Sequence, residues 1–472
     1  MLRAFLVFAL VCTCTITAQA DTKVYTHTVR QIFGGAQSPD DARIAAMTRA
    51  KREVLEKAGT YLESMTVVQD YRVSKDEVLA LAAGVLRAEI VSEKKFVAGE
   101  AFGIEVTARV EVDPGVLKDR VAKLLNDREA WRRIQKLEAR EKELLGKMTR
   151  LENENEKLKQ TTKGSPPEME NLKAEFNETS DGLKAVEFEL MAEALWDGKK
   201  FTDPGKVIEL LNKAINIDPG YFGDYCNRGI AHADLGQYDR AIQDYDQAIR
   251  LDPNHGISYG NRGSTYTDLG QYDRAIQDFD QAIRLDPNHS IAYCNRGATY
   301  AKLGQYDRAI QDYDQAIRLD PNDADAYYNR GVAYAHLDQH DRAIQDYDQA
   351  IRLDPDHAIS HCNRGSIYFD LGQYDRAIQD FDQAIRLDPN DAIAYYNRGE
   401  TYARLGQYDR AIQDYDQVIR LAPDNADAYE GRGLVRILSG YDDAMGCRDL
   451  RTACQMGACQ GYEIARQEGL CP

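Results

Sequence analysis

The chain has 472 residues, 43% of them apolar, which is too long for one compact core and too apolar for wholesale disorder. Its formal net charge of -18 gives a surface that disfavours non-specific nucleic-acid binding and tight docking on anionic lipid. Neither nucleic acid nor a membrane surface is therefore an expected partner.

Residues 1–20 read as an export signal. Arg3 gives a basic start, Ala4 to Thr17 an apolar run, and Ala18-Gln19-Ala20 a small-x-small cleavage site before Asp21. The run is shorter than the ~20 residues that span a bilayer, which argues against a membrane anchor. Val11 and Thr13 precede Cys12 and Cys14, where a lipid-attachment site needs a small residue. No other run is long enough to span. The mature chain is expected outside the cytoplasm, in a bacterial periplasm, with no integral membrane span.

Residues 21–115 predict a small α+β domain. Lys23 to Ile32 alternates as a strand does. Ser38 caps a helix with Pro39 at its first position, and Ile44, Met47, Val54 and Leu55 line its apolar stripe to about Ala58. Tyr61 to Val73 reads as extended. Ser74-Lys75-Asp76-Glu77 offers a capping box before Val78 to Leu86. Two strands follow, about Ala88 to Val97 and Ala101 to Val112, the second with Phe102, Ile104, Val106, Ala108 and Val110 on one face. His27 stands alone and is expected at the surface. The runs DDARIAAMTRAKREVLEKAGTYLES and ALAAGVLRAEI with the paired strands resemble the N-terminal domain of the flagellar assembly protein T family. That resemblance implies an envelope-facing accessory domain and does not by itself assign a flagellar role.

Residues 116–160 predict a coiled-coil helix. Leu137, Leu144, Leu151 and Leu158 fall on d; Ile134, Glu141, Met148 and Asn155 fall on a. A seven-residue repeat with Asn at a implies a parallel, in-register homodimer through 134–158. Arg133 with Glu138, Lys147 with Glu152 and Glu154 with Lys159 would pair across it. A single helix laid along its neighbours is the alternative, favoured by Glu141 at a. Val121, Leu124 and Trp131 form a separate seam, facing the first domain. Residues 161–184 are a linker and lead-in helix, opened by the helix-breaking TTKGSPP.

The tripeptide Asn227-Arg228-Gly229 then recurs every 34 residues, joined by near copies of GQYDRAIQDYDQAIRLDP. Such a period marks stacked repeats. Ala292 to Leu303 and Tyr306 to Leu319 have helical spacing, with Gly304-Gln305 between them and Asp320-Pro321 after. Neither helix buries its apolar face alone, so units must stack. Tyr293, Gly297, Tyr300, Ala309, Tyr313, Ala316 and Pro321 match the tetratricopeptide pattern, and the unit is identified as a member of that family. Full units run 222–255, 256–289, 290–323, 324–357, 358–391 and 392–425, after a degenerate one at 185–221. The fold class is mainly α: a tetratricopeptide α-solenoid preceded by a small α+β domain and a coiled-coil helix. One departure stands out. The family's Leu at position 7 is Arg in all six units, so its stem is expected to pack while its head reaches an acidic neighbour.

The resemblance implies that the first helix of each unit lines a concave groove, with positions 2, 5, 6, 9, 12 and 13 inward. Position 6 is Asn227, Asn261, Asn295, Asn329, Asn363 and Asn397. A ladder of amides suits the main chain of an extended peptide. A copied remnant of duplication is the alternative, because Gln243-Asp244 recurs as faithfully. Varied positions would carry selectivity: Tyr328 and Tyr396 at 5; Asp268, Lys302, His336 and Arg404 at 13. Cys226, Cys294 and Cys362 are read as small packing residues. His255, His289 and His357 lack a second ligand type at fixed spacing, so no metal and no cofactor is expected.

Residues 426–472 are read as a partial repeat and a Cys-rich helical cap. Cys447, Cys454, Cys459 and Cys471 suggest two disulfides in an exported chain. If Asp443 to Cys454 is one helix, Cys447 and Cys454 are about 10.5 Å apart by rise and cannot bond. That leaves 447–459 with 454–471, or 447–471 with 454–459. Zinc is a rival, weakened by the lack of a Cys-x-x-Cys pair. No phosphate loop, nucleophile elbow or metal-ligand spacing occurs, so an enzyme is not expected. The chain reads as an exported scaffold or adaptor whose groove holds an extended segment of other envelope proteins, in cell-envelope assembly. A structural spacer is the alternative.

Overall fold

The computed structural model describes residues 22–63, 75–98, 101–161, 166–198, 200–440 and 443–472. The export signal, residues 64–73 of the extended stretch, Ser74 of the capping box and residues 162–165 of the linker lie outside the described residues. The chain divides into two units, residues 1–254 and 255–472.

In the first unit, alternation makes one face of a strand wholly apolar: Ile104, Val106, Ala108, Val110 and Val112 are all buried. This is β3 (Ala101–Val112), flanked by β1 (Lys23–Phe33) and β2 (Ala88–Ala98) in an antiparallel sheet of order β1-β3-β2. Val29 faces Val106 across one ladder and Ile90 faces Ala108 across the other. Helix α1 (Pro39–Glu63) packs on the sheet, and α2 (Lys75–Val85) packs on α1. A reciprocal cap starts α1: the Asp41 N–H donates to Ser38 Oγ (3.2 Å), and the Ser38 N–H donates to Asp41 Oδ2 (3.0 Å). The helix continues to Glu63 rather than ending at Ala58, because Leu62 extends the buried stripe. Phe102 does not join the core face; it is 61% exposed.

Helices α3 (Pro114–Asn126) and α4 (Arg128–Thr161) are separated at Asp127. Its carboxylate accepts from the Ala130 N–H (2.9 Å) and from the Trp196 indole (2.5 Å). That capped break is why the apolar register shifts before Ile134. Helix α5 (Pro166–Glu193) runs back along α4, pairing Glu193 with Arg133, Glu189 with Arg140 and Glu178 with Lys147.

The expected homodimer seam is occupied by the chain itself. Met148 and Leu151 are buried among Ile44, Ala45, Leu172, Phe176 and Leu183, with Leu144 and Leu158 packed at the edge, while Ile134 joins the first core and Leu137 is 2% exposed. Asn155 finds no second Asn. Its Oδ1 accepts from the Ala36 N–H (2.9 Å) and its Nδ2 donates to the Gly34 carbonyl (2.8 Å). Gly35 turns there at φ +68, and a Cβ on it would come within 2.6 Å of Asn155 Oδ1. The flanking charges are also taken in cis: Arg49 holds Glu152, and Arg52 holds Glu138 and Glu141. The heptad was real, but α1 and α5 supply its partners. Helices α6 (Pro204–Ile217), α7 (Phe222–Asp234) and α8 (Tyr238–Leu251) complete the unit. Asp203 caps α6 by accepting from the Lys206 N–H (2.9 Å).

The second unit is a stack of hairpins: α9 (Gly256–Asp268) with α10 (Tyr272–Leu285), α11 (Ser290–Lys302) with α12 (Tyr306–Leu319), and α13 (Ala324–His336) with α14 (His340–Leu353). Then come α15 (Ala358–Asp370) with α16 (Tyr374–Leu387), α17 (Ala392–Arg404) with α18 (Tyr408–Leu421), and α19 (Ala426–Leu438) with α20 (Asp443–Gln455). The turn inside each hairpin needs a left-handed residue: Gly304 has φ 71, and Asp338 takes the same place at φ 57. Close approach of the two helices needs the glycine of the repeated tripeptide, since a Cβ on Gly297 would lie 2.9 Å from the Tyr313 ring. Second helices end where the Asp N–H closes the last turn, as Asp320 does on the Ala316 carbonyl (2.8 Å), and Pro follows.

The partial last repeat is a full hairpin, because α20 supplies its second helix. A short helix α21 (Gln460–Gln467) follows, and the Gly461 N–H donates to Glu430 of α19 (2.6 Å). The disulfides are Cys447–Cys471 and Cys454–Cys459.

Asn155→Leu should lower the unfolding free energy by about 2 kcal/mol, through two orphaned backbone groups, and leave the sedimentation coefficient unchanged. A shift to a larger species would restore the dimer seam. Cys447→Ser with Cys471→Ser should cost the cap about 3 kcal/mol, seen as faster amide exchange over 460–467 with the earlier hairpins unaffected.

Candidate functional site

The arginines that replace the family's leucine are not loose on the surface. Each lies across its own hairpin and is gripped by an Asp of the second helix. Arg262 with Asp278, Arg296 with Asp312, Arg330 with Asp346, Arg364 with Asp380 and Arg398 with Asp414 are all two-pronged, with N···O distances of 2.6–2.9 Å. The remaining terminal nitrogen crosses to the preceding hairpin: Arg296 to Asp280 (2.5 Å), Arg330 to Asp314 (2.6 Å) and Arg398 to Asp382 (2.6 Å). Arg228 does the same in the first unit, using Asp244 and, in place of the usual second Asp, Asn212. A ring at position 4 lies under the guanidinium, as Tyr327 does 5.5 Å from Arg330. In one unit that ring is His361, whose Nδ1 is 3.4 Å from Asp380.

The ladder has a rung beyond the six tripeptides. Arg432 grips Asp449 (2.7 Å) and Asp416 (2.5 Å), and Arg436 also reaches Asp449. The tripeptide does not mark it, because Gly431 replaces Asn and the hairpin turn is one residue longer. The Arg432-Gly433 pair was the available signal.

These rungs hold successive first helices edge to edge. In the second unit α9, α11, α13, α15, α17 and α19 touch one another in sequence, and the second helices do not approach to the same degree. The first helices therefore form the inner wall. The position-6 amides lie on it, all half-buried. Asn295 Nδ2 donates to Ser264 Oγ (3.1 Å), Asn363 Nδ2 to the Tyr328 hydroxyl (3.3 Å) and Asn397 Nδ2 to Ser366 Oγ (3.2 Å). Each bond reaches back to the previous first helix. Asn329 lies against the Cys294 thiol, and Asn261 occupies the same face. In the first unit Asn227 donates to Glu193 (2.7 Å). One N–H of these amides thus serves the stack, out of two donors and one acceptor oxygen.

The varied residues separate into two groups. Asp268, Lys302, His336 and Arg404 are exposed along the wall. His336 stacks on Tyr306 at 4.6 Å, and Arg404 pairs with Glu400 (3.2 Å) beside Phe369. Tyr328 and Tyr396 instead turn into the hairpins, with rings 6.0 Å from Tyr347 and 5.7 Å from Tyr415. Burial raises both phenols above their ordinary range. Position 5 is thus a packing position, and Cys226 and Cys362 are buried there too. Burial pushes the Cys294 and Cys362 thiols up to about 12, far from a reactive thiolate. Position 2 was placed inward from the sequence without its residues being named, and Ile291, Ile359 and Ile393 there are 47%, 49% and 66% exposed. An aliphatic at the helix start, one residue ahead of the buried small position 3, was the legible sign. Leu434 and Leu438 continue apolar exposure on α19. Among the described residues no group of His, Cys, Asp or Glu is arranged to hold a metal, and no helix is long and apolar enough to cross a membrane.

Family models bear on what these repeats are. A TPR repeat model matches residues 263–304, 299–338 and 365–406. Tetratricopeptide repeat models match 225–255, 324–357 and 392–425, and 244–277 and 346–379. The repeats are tetratricopeptide repeats. No curated protein matches the chain. Among solved structures, MamA is 27% identical, with 35% of this chain and 96% of MamA covered and a TM-score of 0.33. YrrB, described as a TPR protein with an unusual peptide-binding site, is 26% identical, with coverage of 40% and 96% and a TM-score of 0.33. A tetratricopeptide repeat protein from Parabacteroides merdae is 23% identical, with coverage of 52% and 96% and a TM-score of 0.40. These family-model matches lie within residues 225–425.

Arg330→Leu should cost about 3 kcal/mol, because Asp346 and Asp314 lose their cation in a mostly buried site. Adding Asp346→Leu should recover most of that loss, since an apolar pair of similar volume replaces the ion pair. A double-mutant cycle by urea unfolding reads the coupling; additive losses would show the rung to be energetically idle.

Proposed function

We propose that the chain is a scaffold whose repeat wall holds an extended segment of another protein. The observation that carries this reading is the make-up of that wall. A uniform row of half-buried amides runs beside exposed Ile291, Ile359 and Ile393, while position 13 changes in charge from Asp268 to Lys302, His336 and Arg404. A uniform row suits a guest's main chain, apolar side chains give affinity, and varied charges give selectivity. No cofactor and no catalysis enter this reading, in which Cys226, Cys294 and Cys362 are packing groups.

Export to a periplasm, and service in cell-envelope assembly, belong to the same proposal. The signal-like start supports it. So does the pairing of all four C-terminal cysteines, since such bonds persist in oxidising compartments. The resemblance of the first domain to exported envelope domains points the same way. A spacer role is the second reading, favoured by the amide bonds that Asn295, Asn363 and Asn397 make within the stack.

Site-specific photo-crosslinkers at Lys302 and Ile393 on the wall, and at Gln311 on an outer helix, separate the two. A binder should trap the same partner from both wall positions and not from Gln311. Ile359→Ser with Ile393→Ser should lower that yield about tenfold, from two lost apolar contacts. Equal trapping at all three positions, or an unchanged yield in the double variant, leaves the spacer.

A further inference from the structure

Position 3 of a repeat is a buried site for a small residue. It is Ser258, Ala292, Ala326, Ser360, Ala394 and Ala428 in the second unit, each at most 1% exposed. In the first full repeat it is Asp224, also 1% exposed. A carboxyl replaces a methyl or a small hydroxyl at a place closed to solvent. Its Oδ2 has no hydrogen-bond partner, and neither has Oε2 of Glu193, which is 3% exposed. Copying cannot account for Asp224, since the other copies lack it.

What surrounds Asp224 is the seat of α4. Arg133 of α4 donates to Glu193 Oε1 of α5 (2.9 Å), and Asn227 of α7 donates to the same oxygen (2.7 Å). Arg140 of α4 donates to both oxygens of Glu189 on α5 (2.8 and 3.0 Å) and to Asp218, with its guanidinium 4.3 Å from the Tyr221 ring. Asp218 and Tyr221 lie in the connection between α6 and α7. Arg228 of α7 also faces the group, but Asp244 of α8 and Asn212 of α6 hold it. Four carboxyls, Glu189, Glu193, Asp218 and Asp224, therefore gather around the guanidiniums of Arg133 and Arg140. At so buried a place Glu189 and Asp224 repel one another when both are ionised.

We propose that Glu189 and Asp224 form a proton-operated latch that seats α4 on the first full repeat. With protons on the latch, α4 stays closed on α5 and α7; with the carboxyls ionised, the seat is repelled and loosens. Burial, then Glu189, push the Asp224 carboxyl up to about 9 despite Arg140, and burial pushes Glu189 up to about 7. Both values lie above those of the open chain, so the seated form binds more protons. Its stability is full below the ordinary carboxyl range and is lost as pH rises through about 7 and about 9.

The sequence has 2 tryptophans, and both report on this junction. Trp131 is on α4, and Trp196 donates to Asp127 with Arg133 4.9 Å from its ring. Urea unfolding of the full chain, followed by tryptophan emission, should give a midpoint about 0.5 M lower at pH 9 than at pH 6. Circular dichroism on the same samples follows the rest of the helices. Asp224→Ala, which installs the residue the other repeats use, should raise the pH 9 midpoint and remove most of the difference. Asp224→Asn, equal in shape and without charge, should do the same if the alanine variant folds poorly. A wild-type midpoint indifferent to pH overturns the latch, as does an undiminished pH difference in both Asp224 variants.

Discussion

A guanidinium between two carboxylates, one from its own hairpin and one from the hairpin before, is the contact on which the repeat stack rests. The family commonly fills that place with leucine. Here a buried charge stands there, and such a group is tolerable only if every donor has a partner. The need for partners then dictates the rest of the repeated phrase. Asp312 must stand on the second helix of Arg296's own unit and Asp280 on the second helix of the unit before, while Tyr293 lies under the guanidinium. Loss of the arginine strands a carboxylate in each of two hairpins at once, and loss of either aspartate leaves the guanidinium half-paired. The near identity of the outer helices therefore has a mechanical cause, and no ligand for the outer face has to be invoked.

The first unit applies the same rule without periodicity. Helix α4 carries aliphatic residues on one stripe and charges along its borders, and both are answered from within the chain. Leu172 and Phe176 of α5 and Ile44 of α1 cover the stripe, while Arg49 and Arg52 of α1 meet Glu152, Glu138 and Glu141. The helix ties the sheet domain to the first repeats through Asp127 and Trp196 at one end and Asn155 at the other.

Most of the fold was legible because it is local. Period, tripeptide and Asp-Pro stops placed the hairpins, and alternation placed β3. The failures were all questions of partner. A heptad states that a helix needs an apolar companion, yet Leu151 cannot say whether that companion is a copy or Phe176. An a-position Asn states that an amide is buried, yet Asn155 could not reveal that the turn at Gly34 and Ala36 would use it. The two disulfide pairings differed only in how the chain doubles back after α20, which is set by Gly461 meeting Glu430. At the wall, the amides were placed correctly by position, but their bonds to Ser264 and Ser366 depend on side chains 31 residues away. Tyr328 and Tyr396 were assigned to a guest when the hairpin interior had room for them.

Arg432 is the last rung of the series: two residues after Asp449, where the earlier second helices carry the aspartate that meets the next arginine, the chain has Arg451, while the rungs from Arg296 to Arg398 share one geometry. Excision of one whole 34-residue segment between Arg296 and Arg398 would consequently leave all surviving guanidiniums with equivalent anions on both sides. Copy number is then free to drift by unequal recombination without a penalty at the joints. Each segment would carry its own position-13 residue with it, so gain or loss of a unit edits the order of charges offered to a guest.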